Sequence, residues 1–538
     1  MKIYYYKNNK KYSNFDDCQD FSVEMTKRNG KTTVTIIAKE DIKLEKAVDL
    51  LPIPTNRHDL YFFNGYQSWT DTKEFKLVDR ERDIRKSPHI ISHVFSMAAY
   101  GDNHFYKYSI RKSHGYDLFY SKGKCESFIY NLNFNVAYLV IEMIKDRRNT
   151  LRITSDLRGL KLNKGESVKV FDYYYFPSFK EGIDSFYKHL PLMNKEKIFG
   201  YTSWYNYYQN INEDIILRDL DALDNRFNLF QIDDGYESYV GDWLEVDKKK
   251  FPNGLEPIVK KIHAKGFKAG LWLAPFVAEE KSKLFKEHRD WFARGKGGAL
   301  IKAGGNWSGH YALDLENKEV RDYIEKCLKH YMDMGFDFFK LDFLYAAGLP
   351  SFEGKTRCMA QKEAYDFLRK VLEGKLILGC GANLINSFGS FDYLRIGPDV
   401  SLKFDDVAYM RLFHRERPST KVTLQNTIFR SIYDQRLFAN DPDVFLLRDN
   451  NIGLSFAQRK ALTKINALFG SVLMTSDNIA EYDEAKKQVL KDSLDIFENA
   501  TNKSFVKKGN SIKINYTLHD KEHSFTYHVK KGVMTNER

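Results

Sequence analysis

The run Phe336-Asp337-Phe338-Phe339-Lys340-Leu341-Asp342-Phe343-Leu344 limits the fold more than any other stretch of the chain. It follows a helical pattern ending at Met334-Gly335 and is too apolar to have a wet face. It therefore reads as a parallel strand covered on both sides. Residues i and i+2 of a strand point the same way, which predicts Lys340 and Asp342 on one side. Burying charge is costly unless it is paired or used. The two residues are either a structural ion pair or part of a site at a barrel strand's C-terminal end, where catalytic side chains collect.

From about residue 196 the pattern around this run alternates between apolar strands and amphipathic helices, which predicts a parallel α/β barrel. Strands are expected at 198–204, 227–233, 267–274, 336–344, 376–380, 393–397, 444–447 and 470–475. The clearest helices are expected at 213–224, 255–265, 318–334, 361–373 and 455–468, with Asn212 and Asn317 as N-caps. Eight strands in roughly 300 residues fit a (β/α)8 TIM barrel. The connection 275–316 is long enough to be a functional excursion over the barrel mouth.

The first 195 residues instead alternate with period two, as in Thr32-Thr33-Val34-Thr35-Ile36-Ile37-Ala38, and predict a β-sandwich. Inside it, Phe63-Asn64-Gly65-Tyr66-Gln67-Ser68-Trp69 is either a packed turn or a loop reaching towards a binding site. After a helix at about 480–498, residues 503–530 return to short strands that need the barrel for support. The expected class is thus α/β, with a sandwich domain at 1–195, a barrel at 196–499 and a small β-domain at 500–538.

The net charge of +12 comes from 84 basic residues interspersed with 72 acidic ones, with no basic block to serve as a nucleic-acid footprint. Cys18, Cys125, Cys327, Cys358 and Cys380 match neither a disulfide framework nor zinc spacing. No stretch approaches the roughly 18 apolar residues of a membrane span. The expectation is a soluble cytoplasmic protein without membrane or nucleic-acid partners, metal or cofactor; homo-oligomerisation stays open.

The predicted strand ends carry a mixed polar and aromatic set: Ser203-Trp204-Tyr205-Asn206, Asp233-Asp234-Gly235-Tyr236, Trp272-Leu273-Ala274-Pro275, Lys340 with Asp342, Cys380-Gly381, and Arg395-Ile396-Gly397-Pro398-Asp399. Carboxylates, cations and tryptophans converging on one face suit a sugar, whose hydroxyls need acceptors and donors and whose apolar ring face needs an aromatic plate. One Asp-Asp-Gly alone often marks only a turn.

In their order these segments resemble the α-galactosidases of glycoside hydrolase family 36, and more distantly family 27. Gly200-Tyr201-Thr202-Ser203-Trp204, Gly270 to Pro275, Leu313-Asp314-Leu315, Asn440-Asp441-Pro442-Asp443 and Thr475-Ser476-Asp477 extend the likeness along the barrel. Asn64 to Trp69 extends it into the sandwich. The resemblance implies a retaining exo-α-galactosidase acting on α-galactoside oligosaccharides or glycosides. It makes Asp342 the nucleophile and Asp399 the general acid/base. Retention needs two carboxyl groups about 5–5.5 Å apart, which strands four and six can present across the mouth.

By the same resemblance Asp233 and Asp234 accept hydrogen bonds from O4 and O6, Trp204 and Trp272 belong to the sugar site, and Cys380 lines the O2 region. Lys340 is expected to keep Asp342 ionised and to bond a sugar hydroxyl, and Arg395 to donate to a hydroxyl or orient the acid. Asp399, without a cation adjacent in sequence, is expected to hold its proton readily. Two positions depart from the family: Asn383 replaces a glycine, suggesting a changed O2 contact, and Ser308 replaces an arginine whose place His310 or Lys302 could take. An α-N-acetylgalactosaminidase, a galactosyl-transferring enzyme and an inactive carbohydrate-binding protein remain alternatives.

Overall fold

The computed structural model describes residues 1–15, 19–78, 99–102, 105–106, 112–144, 150–405 and 415–537. Cys18 lies outside them. The N-terminal part is a sandwich of two seven-stranded antiparallel sheets. Strand Leu60–Phe63 explains the aromatic richness of this region: Tyr61 and Phe63 point into the sandwich core, whereas Phe62 points the other way, into the core shared with the barrel. Both faces of this strand are therefore dry, and alternation brings apolar residues to each. On the barrel side the rings stack in rows, Phe62 on Tyr120 at 4.7 Å and Tyr130 on Tyr174 at 4.8 Å.

The barrel strands are β1 (Ile198–Thr202), β2 (Leu229–Ile232), β3 (Lys268–Leu273), β4 (Phe338–Leu341), β5 (Leu376–Gly379), β6 (Tyr393–Arg395), β7 and β8 (Val472–Thr475). All pairings are parallel. β7 is broken by Pro442 and by Asp443 at φ 73°. Its first piece, Ala439–Asp441, pairs with β6, and its second, Val444–Phe445, pairs with β8, so the sheet closes on itself. The break turns Asp441 and Asp443 towards one arginine, as described below.

The helices follow the expected pattern with small shifts. Helix Lys318–Asp333 is capped by Asn317 and buries Val320, Ile324, Cys327, Leu328 and Tyr331, an apolar stripe at three- and four-residue spacing. Asn212 caps Glu213–Ala222 by accepting the Ile215 N–H at 2.9 Å. Helix Arg357–Val371 begins four residues before its expected start, because Thr356 serves as the cap. Segment 275–316 folds into a three-stranded antiparallel sheet, Val277–Glu279, His310–Ala312 and Lys302–Gly304.

The C-terminal four-stranded antiparallel sheet buries Ile512, Ile514, Phe525 and Tyr527. Phe505 from it meets Phe429 and Phe469 of barrel helices edge-on, at 5.4 and 6.2 Å. Among the described residues no helix is long and apolar enough to cross a membrane.

Candidate active site

The C-terminal ends of the barrel strands carry several groups of charged side chains, three of them around Asp233, Asp342 and Asp399. In the first, Lys340 on β4 reaches Asp233 beyond β2, with Nζ 2.9 Å from Oδ2. That oxygen also accepts from Gln231 Nε2 at 2.7 Å and Thr202 Oγ1 at 3.0 Å, and Oδ1 accepts the Asp234 N–H at 3.0 Å. Burial pushes the Lys340 ammonium down, but the charge of Asp233 outweighs it and the group stays above its ordinary value. Both partners are almost completely buried. The expected pairing of Lys340 with Asp342 is corrected: strand β4 ends at Leu341, so the two residues do not act as i and i+2 of one strand.

Asp342 starts the second group. Trp272 Nε1–H donates to its Oδ2 at 3.1 Å, and the Phe343 N–H donates to its Oδ1 at 2.7 Å. Phe343 has φ 55°, a left-handed conformation unusual for a bulky residue, which turns the chain away directly after the carboxylate. Burial and the like charge of Asp399 push the Asp342 carboxyl up; Lys340, the Cys380 thiol and Trp272 pull it down, and the net direction is up. Lys340 thus acts on Asp342 through its field and does not by itself fix the charge.

The third group surrounds Arg395, which is buried at the end of β6. Its Nε bonds Asp441 Oδ2 at 2.9 Å, Nη2 pairs with Asp443 Oδ1 at 2.8 Å, and Nη1 bonds Asp399 Oδ1 at 3.0 Å. The sequence offers Asp399 no adjacent cation, but the fold supplies one four residues back. Two buried carboxylates already balance that guanidinium, so its bond to Asp399 is chiefly an orienting one. Asp399 is 39% exposed at its side chain, whereas Asp342 is 8% exposed. Tyr205 bonds Asp443 and feels the charge of Asp399. Trp204, half-buried, begins the short helix after β1 and meets Tyr208 edge-on at 5.1 Å.

Several residues at the site had no role in the sequence reading. Trp307, on the excursion, donates its indole N–H to Asp234 Oδ2 at 2.8 Å, and Gln209 Nε2 donates to Oδ1 at 3.0 Å. Glu237 is buried beside them. The signal available was slight: the Asn306-Trp307 pair in an overlong connection, and an acid three residues after Asp234. Ser308, where an arginine was looked for, bonds Glu279 Oε2 at 2.6 Å. His310 is buried and pushed down to about 3 by desolvation, so it is a neutral ring; Lys302 is exposed.

The sandwich loop enters the site. Trp69 Nε1–H donates to Cys380 Sγ at 3.3 Å, and the ring meets Phe343 and Tyr345 edge-on at 5.4 and 5.6 Å. A Cβ on Gly381 would lie 3.1 Å from the same ring. Ser68 N–H donates to Ala382 O at 2.9 Å, and Gly381 N–H donates to Ser68 Oγ at 2.9 Å. Asn383 does not face an open site: its Nδ2 donates to Tyr66 O at 2.7 Å and its Oδ1 accepts from Asn386 N at 3.0 Å. This residue ties the loop to β5.

Residues 186–367 match the Melibiase family model. The chain is 32% identical over 186 residues to the α-galactosidase Mel36A of Lactobacillus acidophilus, a stretch covering 32% of this chain and 25% of that protein. The curated relatives are thus matched over about a quarter of their length. Structural similarity spans far more. TtGalA, the α-galactosidase from Thermus thermophilus in complex with stachyose, superposes with TM-score 0.69 at 25% identity, covering 92% of this chain and 99% of that one. The same protein with p-nitrophenyl α-D-galactopyranoside gives 0.71 at 24% identity, covering 97% and 98%. The GH36 α-galactosidase AgaA from Geobacillus stearothermophilus shares the fold, with TM-score 0.62 at 13% identity over 94% of this chain and 72% of that one. In its barrel, its sandwich and its ordered strand-end motifs, the chain resembles the α-galactosidases of glycoside hydrolase family 36.

Proposed function

We propose that the protein is a retaining exo-α-galactosidase that hydrolyses terminal α-galactosyl residues by double displacement. One observation carries the reading: Asp342 at β4 and Asp399 beyond β6 are close enough that the charge of Asp399 raises the Asp342 carboxyl, yet they stand in different settings. Asp342, buried and bonded by Trp272, attacks the anomeric carbon. Asp399, more exposed and oriented by Arg395, protonates the leaving oxygen. The leaving alcohol departs with that proton, and a β-galactosyl ester forms on Asp342. Asp399, now a carboxylate, takes a proton from water as water attacks the same carbon, which frees Asp342 and restores the α configuration.

Asp234, held by Trp307 and Gln209, and Asp233, held by Lys340, accept the O4 and O6 hydroxyls in this reading. Trp272 and Trp204 provide aromatic walls. Cys380 lies on the O2 side. Trp69 stands against that thiol, so a 2-acetamido group would meet the indole, which favours α-galactosides over α-N-acetylgalactosaminides. The α-galactoside ligands of TtGalA support the same substrate class. We read three units, 1–195, 196–499 and 500–538, with the first contributing Trp69 to the site of the second. The thiols Cys125, Cys327, Cys358 and Cys380 are free among the described residues, which accords with a cytoplasmic enzyme. Turnover of p-nitrophenyl α-galactoside beside the corresponding α-N-acetylgalactosaminide and α-glucoside tests the reading. Preference for the galactoside is expected, and equal cleavage of galactoside and glucoside overturns it.

A further inference from the structure

Glu237 lies on the turn after β2 and is 5% exposed. Its Oε2 accepts the Gly235 N–H at 3.2 Å, and its carboxyl shares a side-chain hydrogen bond with Asp234. Among the described residues no cation pairs with it. Lys250, further along the connection after β2, gives its ammonium to the carbonyls of Gly235 at 2.9 Å and Gln209 at 2.8 Å. The other titratable groups facing Glu237 are Tyr236 and Tyr331 of helix Lys318–Asp333, both neutral phenols raised chiefly by burial.

A buried carboxyl without a cation is far more stable neutral than charged. Burial raises Asp234 too, but this carboxyl receives N–H groups from Gln209 at 3.0 Å and Trp307 at 2.8 Å, which stabilise its charge. Two carboxyl groups can share one hydrogen bond only if one keeps its proton, and the donors around Asp234 leave that proton to Glu237. We propose that Glu237 is a positioning residue, a protonated acid whose O–H donates to Asp234 and fixes the carboxylate that takes the sugar's hydroxyls. The identity of the sugar rests on the α-galactosidase reading; the proton on Glu237 does not.

Burial and the neighbouring charge of Asp234 both raise Glu237. As pH rises through that raised value the proton leaves, two carboxylates face each other in a dry turn, and Asp234 moves off its position. The loss should fall on KM more than on kcat, because Asp234 binds and does not react.

The test is the pH dependence of KM and kcat for p-nitrophenyl α-galactoside with unmodified protein, Glu237→Gln and Glu237→Leu. Glutamine keeps an N–H donor and cannot titrate, so its KM should stay within ~3-fold of the unmodified value near neutrality and lose the alkaline rise. Leucine removes the donor, and KM should rise ~10-fold or more. An alkaline rise that persists unchanged in Glu237→Gln overturns the proposal. A second readout needs neither substitution nor substrate: infrared spectra of unmodified protein with and without 13C-glutamate should contain a carboxylic-acid C=O band at neutral pH that moves with the label. Absence of that band overturns the proposal even if the galactoside is cleaved. Its presence supports the proposal even if the sugar proves to be different.

Discussion

Trp69, carried by the sandwich, donates its indole N–H to the thiol of Cys380 at the end of β5, 3.3 Å away. The strand-end face of the barrel thus has one wall brought in from the sandwich. The loop is fixed there by its backbone: buried Arg430 donates to the carbonyls of Ser68, Gln67 and Ile396. Truncating Trp69 should therefore change the site without unfolding the loop.

For Trp69→Ala we expect kcat/KM on p-nitrophenyl α-galactoside to fall ~10-fold or more, equivalent to about 1.4 kcal/mol of transition-state stabilisation. Turnover of the α-N-acetylgalactosaminide relative to the galactoside should rise, because space opens beside Cys380. The lost packing should lower stability by about 3–5 kcal/mol. Parallel kinetics on the two substrates and thermal melts check both parts; an unchanged ratio would remove Trp69 from the O2 side.

Asn383→Gly should affect stability and leave specificity alone. The substitution orphans Tyr66 O and Asn386 N in a dry interface, at a cost of about 1–3 kcal/mol for each unsatisfied group. The galactoside to N-acetylgalactosaminide ratio should move by less than ~2-fold, since no end of the amide is free to meet a substrate. A melt and the two-substrate assay decide it.

Asp117 provides a pH test away from the site. It is buried in the sandwich, where its Oδ1 accepts Asn131 Nδ2 and Leu139 N, each at 2.9 Å, and burial pushes its carboxyl from 3.8 up to about 7. Between those two values the folded protein holds a proton that the unfolded chain has released. Stability is therefore present in full below about 4 and is lost as pH rises towards about 7, by at most about 4 kcal/mol. Asp117→Asn keeps the acceptor oxygen and tolerates the left-handed φ of 63°, so it should flatten this slope in denaturant melts taken across the window.

The barrel was legible because parallel strands covered on both faces leave an uninterrupted apolar signature, and Phe338–Leu341 is the clearest case. The motif series also placed Asp233, Asp342, Arg395 and Asp399 on strand ends. Partner choice was not legible. Lys340 is two residues from Asp342 in sequence yet bonds Asp233, more than a hundred residues away, since cross-strand register decides which side chains meet. Arg395 reaches Asp441 and Asp443 only because β7 breaks between them. Asn383 was read as a sugar contact by its place in a motif, but its neighbour in space is a loop some three hundred residues earlier.

The proposed retaining mechanism gives the two carboxylates different tasks, which can be tested separately. Asp342 is buried and accepts from the Trp272 indole and the Phe343 N–H, which suits a carboxylate aimed at carbon. Asp399 is the more exposed acid and the one held by Arg395, which suits proton exchange with a leaving group and then with water. Asp342→Gly should lower kcat ~10⁴-fold or more, as loss of a nucleophile does. Asp399→Ala should differ by substrate. Glycosides with poor leaving groups should lose ~10²–10⁴-fold, the usual share of a general acid. Activated aryl galactosides need little acid assistance, so their glycosylation should survive while deglycosylation slows and the ester on Asp342 accumulates. Azide, which needs no general base, should then restore turnover and yield α-galactosyl azide, because it attacks the β-linked ester from the α face that Asp399 has vacated. NMR of the first-formed sugar should show α-galactose from the unmodified protein. A β anomer at early times would mean direct displacement by water, and Asp342 would then have to be a base rather than a nucleophile.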